Sequence, residues 1–146
     1  MNEVVNRQRK IKINIKVWSE FADIAVNEII EAKGKTLTVA FVSDKKMLEL
    51  NNFYRGKNAT TDVLSFPCEL GEFEVLSELS DKDYLGDIAI SLEQAQKQAS
   101  ENKLDFETEI KQLILHGILH LCGYDHELDD GEMNRRELEL RDKLNI

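Results

Sequence analysis

Cysteine is scarce in this sequence of 146 residues, which contains only Cys68 and Cys122. Two cysteines are too few for the disulfide framework that stabilises small secreted domains, so we expect both thiols to be reduced and buried. A long hydrophobic run is also missing, since even LILHGILHL (113–121) is short and is interrupted by His and Gly. The first ten residues lack the apolar stretch of a secretory signal. These absences predict a cytoplasmic protein that does not enter a membrane.

Positive charge is in the minority. The chain has 28 acidic and 19 basic residues, and its formal net charge of −9 disfavours non-specific binding to nucleic acid by the molecule as a whole. Residues 7–16 depart from this balance, because they include five basic residues and no acidic one. We interpret this stretch either as the solvated face of a strand or as a local basic strip.

The length and the hydrophobic fraction of 42% predict one domain, residues 1–146, with a substantial core. Alternating or β-rich stretches predict strands at 11–17, 36–42, 62–66 and 85–90. Capping residues and glycines predict helices at 19–33, from 43 or 44 onwards, and at 91–102, 105–122 and 131–144. Between these elements, 51–62 is turn-prone, and 69–82 is acidic and typical of a mobile surface segment. The fold class predicted is α+β, with a small mixed β-sheet packed against helices.

All three histidines of the chain lie in one stretch, HGILHLCGYDH (116–126). His116 and His120 are four residues apart on a predicted helix, so their side chains share one face. Gly123 suits the end of that helix, after which His126 can return towards the first two. These histidines could be hydrogen-bonded core residues, but two buried imidazoles one turn apart are hard to satisfy unless an ion lies between them. Cys122 points away from this face and is interpreted as a core residue.

Three histidines without an obvious fourth ligand are typical of a catalytic zinc site, where one position stays open for water. Such an ion lowers the pKa of water and polarises carbonyl or phosphoryl oxygens. The spacing HxxxHxxGxxH is also that of metzincin peptidases, in which a glutamate follows the first histidine as general base. Here that position is Gly117, so a peptidase would need another carboxylate, such as Asp87 or Glu109.

Three blocks in order resemble the YbeY endoribonucleases, also described as rRNA maturation factors: LNNFYRGKNATTDVLSFP (50–67), LGDIAIS (85–91) and HGILHLCGYDH (116–126). The resemblance implies a zincin-like α+β fold with one zinc ion on His116, His120 and His126, although nickel or another divalent ion is open. It also implies that Arg55 is the functional arginine. The implied substrate is single-stranded RNA, in maturation of the small-subunit 3′ end and in ribosome quality control, with the ribosome or its precursors as partner. The oligomeric state is left open.

A mechanistic hypothesis follows from these residue types. It places the scissile phosphate between the metal and Arg55, whose planar charged fork suits phosphate oxygens; the alternative for Arg55 is a surface salt bridge. Lys57 is a weaker candidate for contact with RNA. Asp87 and Asp125 either orient the ligand imidazoles or serve ordinary turn and capping roles. The nucleophile is either metal-bound water or the 2′-hydroxyl of the RNA, and no general base is assigned.

Two other functions remain open on the sequence. One is a ribosome-assembly binding protein in which zinc mainly stabilises the fold. The other is a metallohydrolase of peptides or small molecules, which the missing glutamate disfavours. Because the chain is acidic, we expect the ribosome or a protein partner to deliver an RNA substrate.

Overall fold

A computed structural model of the chain describes residues 2–68, 83–125 and 127–146. Its elements follow in the order β1 (Glu3–Asn6), α1 (Ile15–Glu28), β2 (Thr36–Val42), α2 (Asp44–Arg55), β3 (Val63–Pro67), β4 (Tyr84–Ser91), α3 (Leu92–Glu101), α4 (Phe106–Leu121) and α5 (Glu132–Leu144). The predicted acidic segment 69–82 lies outside the described residues. Within the described ranges, no helix combines the length and the apolar character that crossing a membrane requires.

The four strands form one mixed sheet in the order β1-β2-β4-β3. β1, β2 and β4 run parallel to one another, whereas β3 pairs antiparallel with β4 and occupies an edge of the sheet. Val39 lies beside Ile88 in the parallel pair, and Leu64 lies beside Ala89 in the antiparallel one. The predicted α+β class with a small mixed sheet packed on helices is confirmed.

The two faces of the sheet carry different side chains, because successive residues of a strand point to opposite sides. Val39, Phe41, Ile88 and Ile90 belong to the main core, together with the apolar residues of α1 and α4. On the other face, Val42, Leu64 and Ala89 form a small second cluster with Met47 of α2. The sheet therefore separates α4 from α2.

Helix α4 is the central element of the main core. It begins where the sequence predicts, since the carboxylate of Asp105 accepts a hydrogen bond from the backbone N–H of Thr108 at 2.7 Å. Its inner face is fully buried through Ile110, Ile114, Leu115, Ile118 and Leu119. It ends before Gly123, which has a positive φ of 98° and the left-handed conformation expected there. Burial of this apolar face fixes the orientation of the remaining polar side chains of α4.

The amino-terminal prediction is wrong. Residues 11–14 form no strand, and Ile15 already begins α1, because the side chain of Asn14 caps the helix by accepting the N–H of Lys16 at 3.1 Å. The alternation of Ile11 and Ile13 reflects partial burial against the core without strand pairing. The basic residues between positions 7 and 16 are all exposed; four of them lie between β1 and α1 and Lys16 lies in α1, so they do not line a strand face.

Two further predictions need correction. Helix α2 continues to Arg55, five residues into the stretch expected to form turns, and ends at Gly56 with a φ of 66°. Cys68 is exposed, in contrast to the expected burial, because it follows the edge strand β3. Cys122 is half-buried and packs against the main core as predicted. Both cysteines are free thiols.

Candidate metal centre

His116 and His120 meet on one face of α4. Their ring centroids are 4.6 Å apart with nearly perpendicular planes, and their Nε2 atoms lie 3.1 Å apart. Two nitrogens that bind one tetrahedral zinc ion at about 2.0–2.1 Å are separated by about 3.4 Å. The observed nitrogen pair therefore fits two ligands of a single ion, as the four-residue spacing on a helix predicts.

The third predicted ligand, His126, lies outside the described residues. Over residues 2–68, 83–125 and 127–146, no group of three or more His, Cys, Asp or Glu is arranged to hold a metal ion. The structure thus supplies two converging nitrogens. The complete ligand set that the resemblance implies remains a prediction.

Glu137 of α5 is a site residue that the sequence reasoning missed. Its carboxylate oxygen lies 2.9 Å from Nδ1 of His116, on the side of the ring opposite to the shared Nε2 position. Metal-bound histidines commonly hold a carboxylate at their second nitrogen, which fixes the tautomer and the ring orientation. The signal was present in the sequence, because Glu137 occupies the buried face of α5 with Met133 and Leu140.

The surroundings of Glu137 favour its ionised form. Burial alone would raise the pKa of this carboxyl, but the hydrogen bond and charge of His116, followed by the charge of Arg141, bring the pKa below its usual value. Arg141 lies 3.8 Å from the same carboxylate, one turn later on α5. An ionised Glu137 favours the His116 tautomer that carries its proton on Nδ1, because only that nitrogen can then donate to the carboxylate, and Nε2 is left able to act as a ligand.

Gly117 lies on the sheet side of α4. A Cβ atom at this position would lie 2.9 Å from both Cδ1 and Cγ2 of Ile88, closer than real Cβ contacts allow. The carbonyl of Gly117 also accepts a hydrogen bond from Oγ of Ser65 on β3 at 3.3 Å. Glycine thus lets α4 approach the sheet closely, and a side chain here would meet Ile88.

One cavity of about 600 Å³ brings the histidines together with the predicted arginine. Arg55, the last residue of α2, and Lys57 of the following loop line it together with His116 and His120. Both cations are exposed. Residues of β3 and of the turn after α4 also line the cavity, including Ser65, Tyr124 and Asp125. Two elements distant in sequence, α2 and α4, therefore place two exposed cations and the paired histidines around one space.

The two predicted orienting carboxylates have different positions. Asp125 lines the cavity, and its carboxylate accepts the backbone N–H of Glu127 at 3.0 Å, which is a turn-capping contact. Asp87 requires a correction, because it lies on the face of β4 that points away from α4, where it accepts a hydrogen bond from the hydroxyl of Tyr84. Burial and this bond raise the pKa of Tyr84 to about 12. Asp87 is thus separated from the histidines by the sheet.

Asp62 and Glu109 also have defined environments. The carboxylate of Asp62 accepts the backbone N–H of Val63 at 2.8 Å, the local contact expected at the start of a strand. Glu109 is buried on α4 and lines a neighbouring cavity of about 530 Å³ that also reaches His116 and Glu137. Burial and the charge of Asp62 raise the pKa of Glu109, outweighing Asn102 and Arg141, which lower it. Neither Asp87 nor Glu109 lines the cavity of Arg55, so neither replaces the peptidase glutamate there; the carboxylates that line it are Asp62, Asp125 and Glu127.

Comparison with known proteins finds similarity over nearly the whole chain. The sequence model of the family described as Endoribonuclease YbeY matches residues 3–145. Proteins named Endoribonuclease YbeY from Thermodesulfovibrio yellowstonii and Clostridioides difficile are 40% and 39% identical; the alignments cover 99% and 97% of this chain and 96% and 94% of theirs. The solution structure of a Thermotoga maritima protein superposes with a TM-score of 0.62 at 30% identity, covering 95% of this chain and 85% of that one. The chain belongs to the endoribonuclease YbeY family.

Proposed function

We propose that this protein is a metal-dependent endoribonuclease that cleaves single-stranded RNA in the cytoplasm, in the maturation and quality control of ribosomal RNA. The observation that carries the proposal is the single cavity that Arg55 and Lys57 share with the paired histidines. Phosphodiester chemistry needs cations that bind the phosphate and a centre that activates an oxygen, and this cavity offers residues for both. The relatives named Endoribonuclease YbeY support the same reaction class.

The ligands proposed for one zinc ion, or for another divalent ion, are His116, His120 and His126. A divalent ion bound there would supply Lewis-acid chemistry and a more acidic water. Glu137 holds His116 in one orientation through the 2.9 Å contact with Nδ1 and directs its Nε2 atom towards that of His120. Imidazole nitrogens suit zinc, copper, iron and nickel, so ligand type and metal availability favour zinc without excluding nickel.

Arg55 is the proposed phosphate-binding residue. Its guanidinium is permanently charged and presents paired N–H donors that match two phosphate oxygens. Its position at the carboxyl end of α2 is favourable for a cation, because the helix dipole is negative there. Charge that develops on the phosphate in the transition state would be stabilised by the same donors. Lys57 supplies a second cation for the neighbouring phosphate of the RNA backbone.

The glycine at position 117 disfavours a peptidase of the metzincin type. At the position where those enzymes carry their general base, Gly117 has no side chain, and Ile88 fills the space that a Cβ would need. Activation of the attacking oxygen therefore does not use a carboxylate at this position. Water and the 2′-hydroxyl of the RNA both remain possible nucleophiles, and the proposal is restricted to phosphodiester cleavage.

The test is cleavage of a single-stranded RNA and of the same sequence in a duplex by the wild type and by His116→Ala. We expect the wild type to cut the single strand, and the variant to remain folded by circular dichroism but inactive. A folded variant with full activity would contradict the proposal. A variant that unfolds would instead favour a metal with a mainly structural role, as in a ribosome-assembly binding protein.

A further inference from the structure

A second cavity, of about 590 Å³, lies on the face of the sheet that points away from α4. Its floor is made of small side chains, including Ala40 of β2 and Ala89 of β4, and its wall is formed by Tyr54 and Phe66. Arg7 and Lys46 also line it. We call this cavity the sheet-face groove. Its volume is in the range of small-molecule sites and exceeds that of one nucleobase.

The wall of the groove is an aromatic pair, the exposed Tyr54 and the half-buried Phe66. The ring centroids of Tyr54 and Phe66 are 4.9 Å apart, and Phe53 packs edge-on against Tyr54 at 4.8 Å. Tyr54 is 61% exposed and Phe53 is 81% exposed. Neighbouring exposed rings held in fixed contact form an apolar surface of the type that marks binding sites.

The groove and the histidine cavity meet along α2 and β3. Tyr54 lines the groove, whereas the next residue, Arg55, lines the histidine cavity. On the edge strand, Ser65 lines the histidine cavity and Phe66 lines the groove, because successive side chains alternate. The side chains of Arg55 and Tyr54 therefore open into adjoining cavities.

The charge around the groove suits a polyanion. Between Ser43 and Lys57 there are four basic residues and two acidic ones, in a chain whose formal net charge is −9. One of the acids, Asp44, already accepts hydrogen bonds from Thr60 at 2.5 Å and from Ser91 at 3.1 Å. The other, Glu49, lies 3.7 Å from Lys46. Asp87, which also lines the groove, accepts from Tyr84. Exposed aromatic rings beside basic side chains are the combination on which single-stranded nucleic acids stack their bases.

We propose that the sheet-face groove binds a base of the single-stranded RNA, next to the phosphate held at Arg55, by stacking on Tyr54. This inference rests on the proposed function, since that function supplies the RNA and the position of its phosphate. It assigns a substrate-binding role to Tyr54, whose ring Phe66 supports. Lys46 and Arg7 would lie beside the backbone of the RNA. Stacking also explains why a duplex would be a poor substrate, because its bases are already paired and stacked.

The test measures the affinity of two oligonucleotides for the wild type, Tyr54→Leu and Tyr54→Phe. One is a 2′-O-methyl oligoadenylate of about eight nucleotides, and the other is an abasic backbone of the same length. We expect Tyr54→Leu to weaken oligoadenylate binding about tenfold and to leave binding of the abasic strand unchanged, because only stacking is lost. Tyr54→Phe keeps the ring and is expected to bind oligoadenylate as the wild type does. Gels confirm that both strands stay intact.

Ile24→Ala is the matched control, because Ile24 is 54% exposed on α1 and lies outside the groove. It should change neither affinity, and circular dichroism checks that all variants are folded. The proposal is overturned if Tyr54→Leu weakens binding of both strands equally or of neither. The same results are expected if the groove binds a protein segment. The two proposals can fail separately: a wild type that cleaves RNA without base-dependent binding defeats only the groove, and base-dependent binding without cleavage defeats only the nuclease.

Discussion

The imidazole of His116 is bound through Nδ1 to the carboxylate of Glu137, 2.9 Å away and 21 residues later in the chain. Glu137 lies on α5 and is buried, so the contact joins two helices and holds the ring with its Nε2 atom towards His120. Arg141, one turn further on, lies 3.8 Å from the same carboxylate. The orientation of the histidine pair thus depends on the packing of the last helix as well as on α4.

Glu137→Gln should weaken metal binding. The amide keeps the size of the side chain but loses the negative charge that makes His116 a better ligand, and loss of such a partner typically lowers metal affinity about 10–100-fold. A competitive zinc titration against a chelating dye measures the effect. Glu139→Gln is the control, because the side chain of Glu139 is 70% exposed on the same helix. Equal zinc affinity of the wild type and of Glu137→Gln would show that Glu137 does not support metal binding.

Gly117→Ala should destabilise the fold. On helix propensity alone, alanine would stabilise a helix interior by about 1 kcal/mol relative to glycine. The added Cβ would instead lie 2.9 Å from two atoms of Ile88, and overpacking of this kind costs about 1–3 kcal/mol. Urea unfolding gives the free energy of unfolding of each protein.

Ile88→Val supplies the control for this contact, because it removes Cδ1, one of the two atoms that the new Cβ would meet. In the Ile88→Val background, Gly117→Ala should cost less than it does in the wild type. If Gly117→Ala is more stable than the wild type, the close approach of α4 to β4 is not the reason for glycine at this position.

Relative to the wild type, Glu109→Gln should become more stable as the pH rises. The pKa of Glu109 is raised in the folded state by burial and by the charge of Asp62, so the native protein resists ionisation of this group more than the unfolded chain does. The penalty is absent below the usual glutamate pKa, and it grows as the pH rises from there to the raised value. The stability difference between Glu109→Gln and the wild type should therefore widen over that window and then become constant. A difference that is independent of pH would contradict the assigned environment.

The two thiols should react at very different rates. Cys68 is exposed, whereas burial, followed by the charge of Glu31, raises the pKa of Cys122 to about 11. At pH 8 only about one Cys122 in a thousand would be a thiolate, which is the reactive form. A disulfide reagent should therefore label one cysteine quickly, and Cys68→Ser should abolish that fast phase. Fast labelling that survives Cys68→Ser would show that Cys122 is accessible.

The parts of the fold that the sequence predicts well are those in which local chemistry and burial agree. The cap at Asp105, the apolar face of α4 and the glycine turn at Gly123 all point to one helix, and the structure contains it. The prediction of a strand at 11–17 failed because alternation over a few residues also arises in irregular chain that is half-buried. Asn14, a good cap, was the signal for the start of α1.

The site is less predictable than the helix that carries it. The spacing of His116 and His120 is local, so the sequence predicts their convergence. Glu137 and Arg55 reach the same region through the packing of α5 and α2, and such distant contacts leave little trace in one sequence. Asp87 was predicted to orient a ligand imidazole but does not reach the histidines. Its presence in the block LGDIAIS does not show which face of β4 it occupies. A carboxylate on the buried face of α5 was the one usable clue to Glu137.

The central claim is that the paired histidines and Arg55 act in one cavity on one phosphate. The most direct measurement determines the zinc content of the purified wild type and Arg55→Ala, together with the rate at which each cleaves a single-stranded RNA before and after chelation. The account predicts about one zinc ion in both proteins and a wild-type activity that is lost on chelation and restored by zinc. It also predicts that Arg55→Ala cleaves the RNA at least about 100-fold more slowly than the wild type. Full activity of Arg55→Ala, or cleavage that survives removal of all metal, would contradict it.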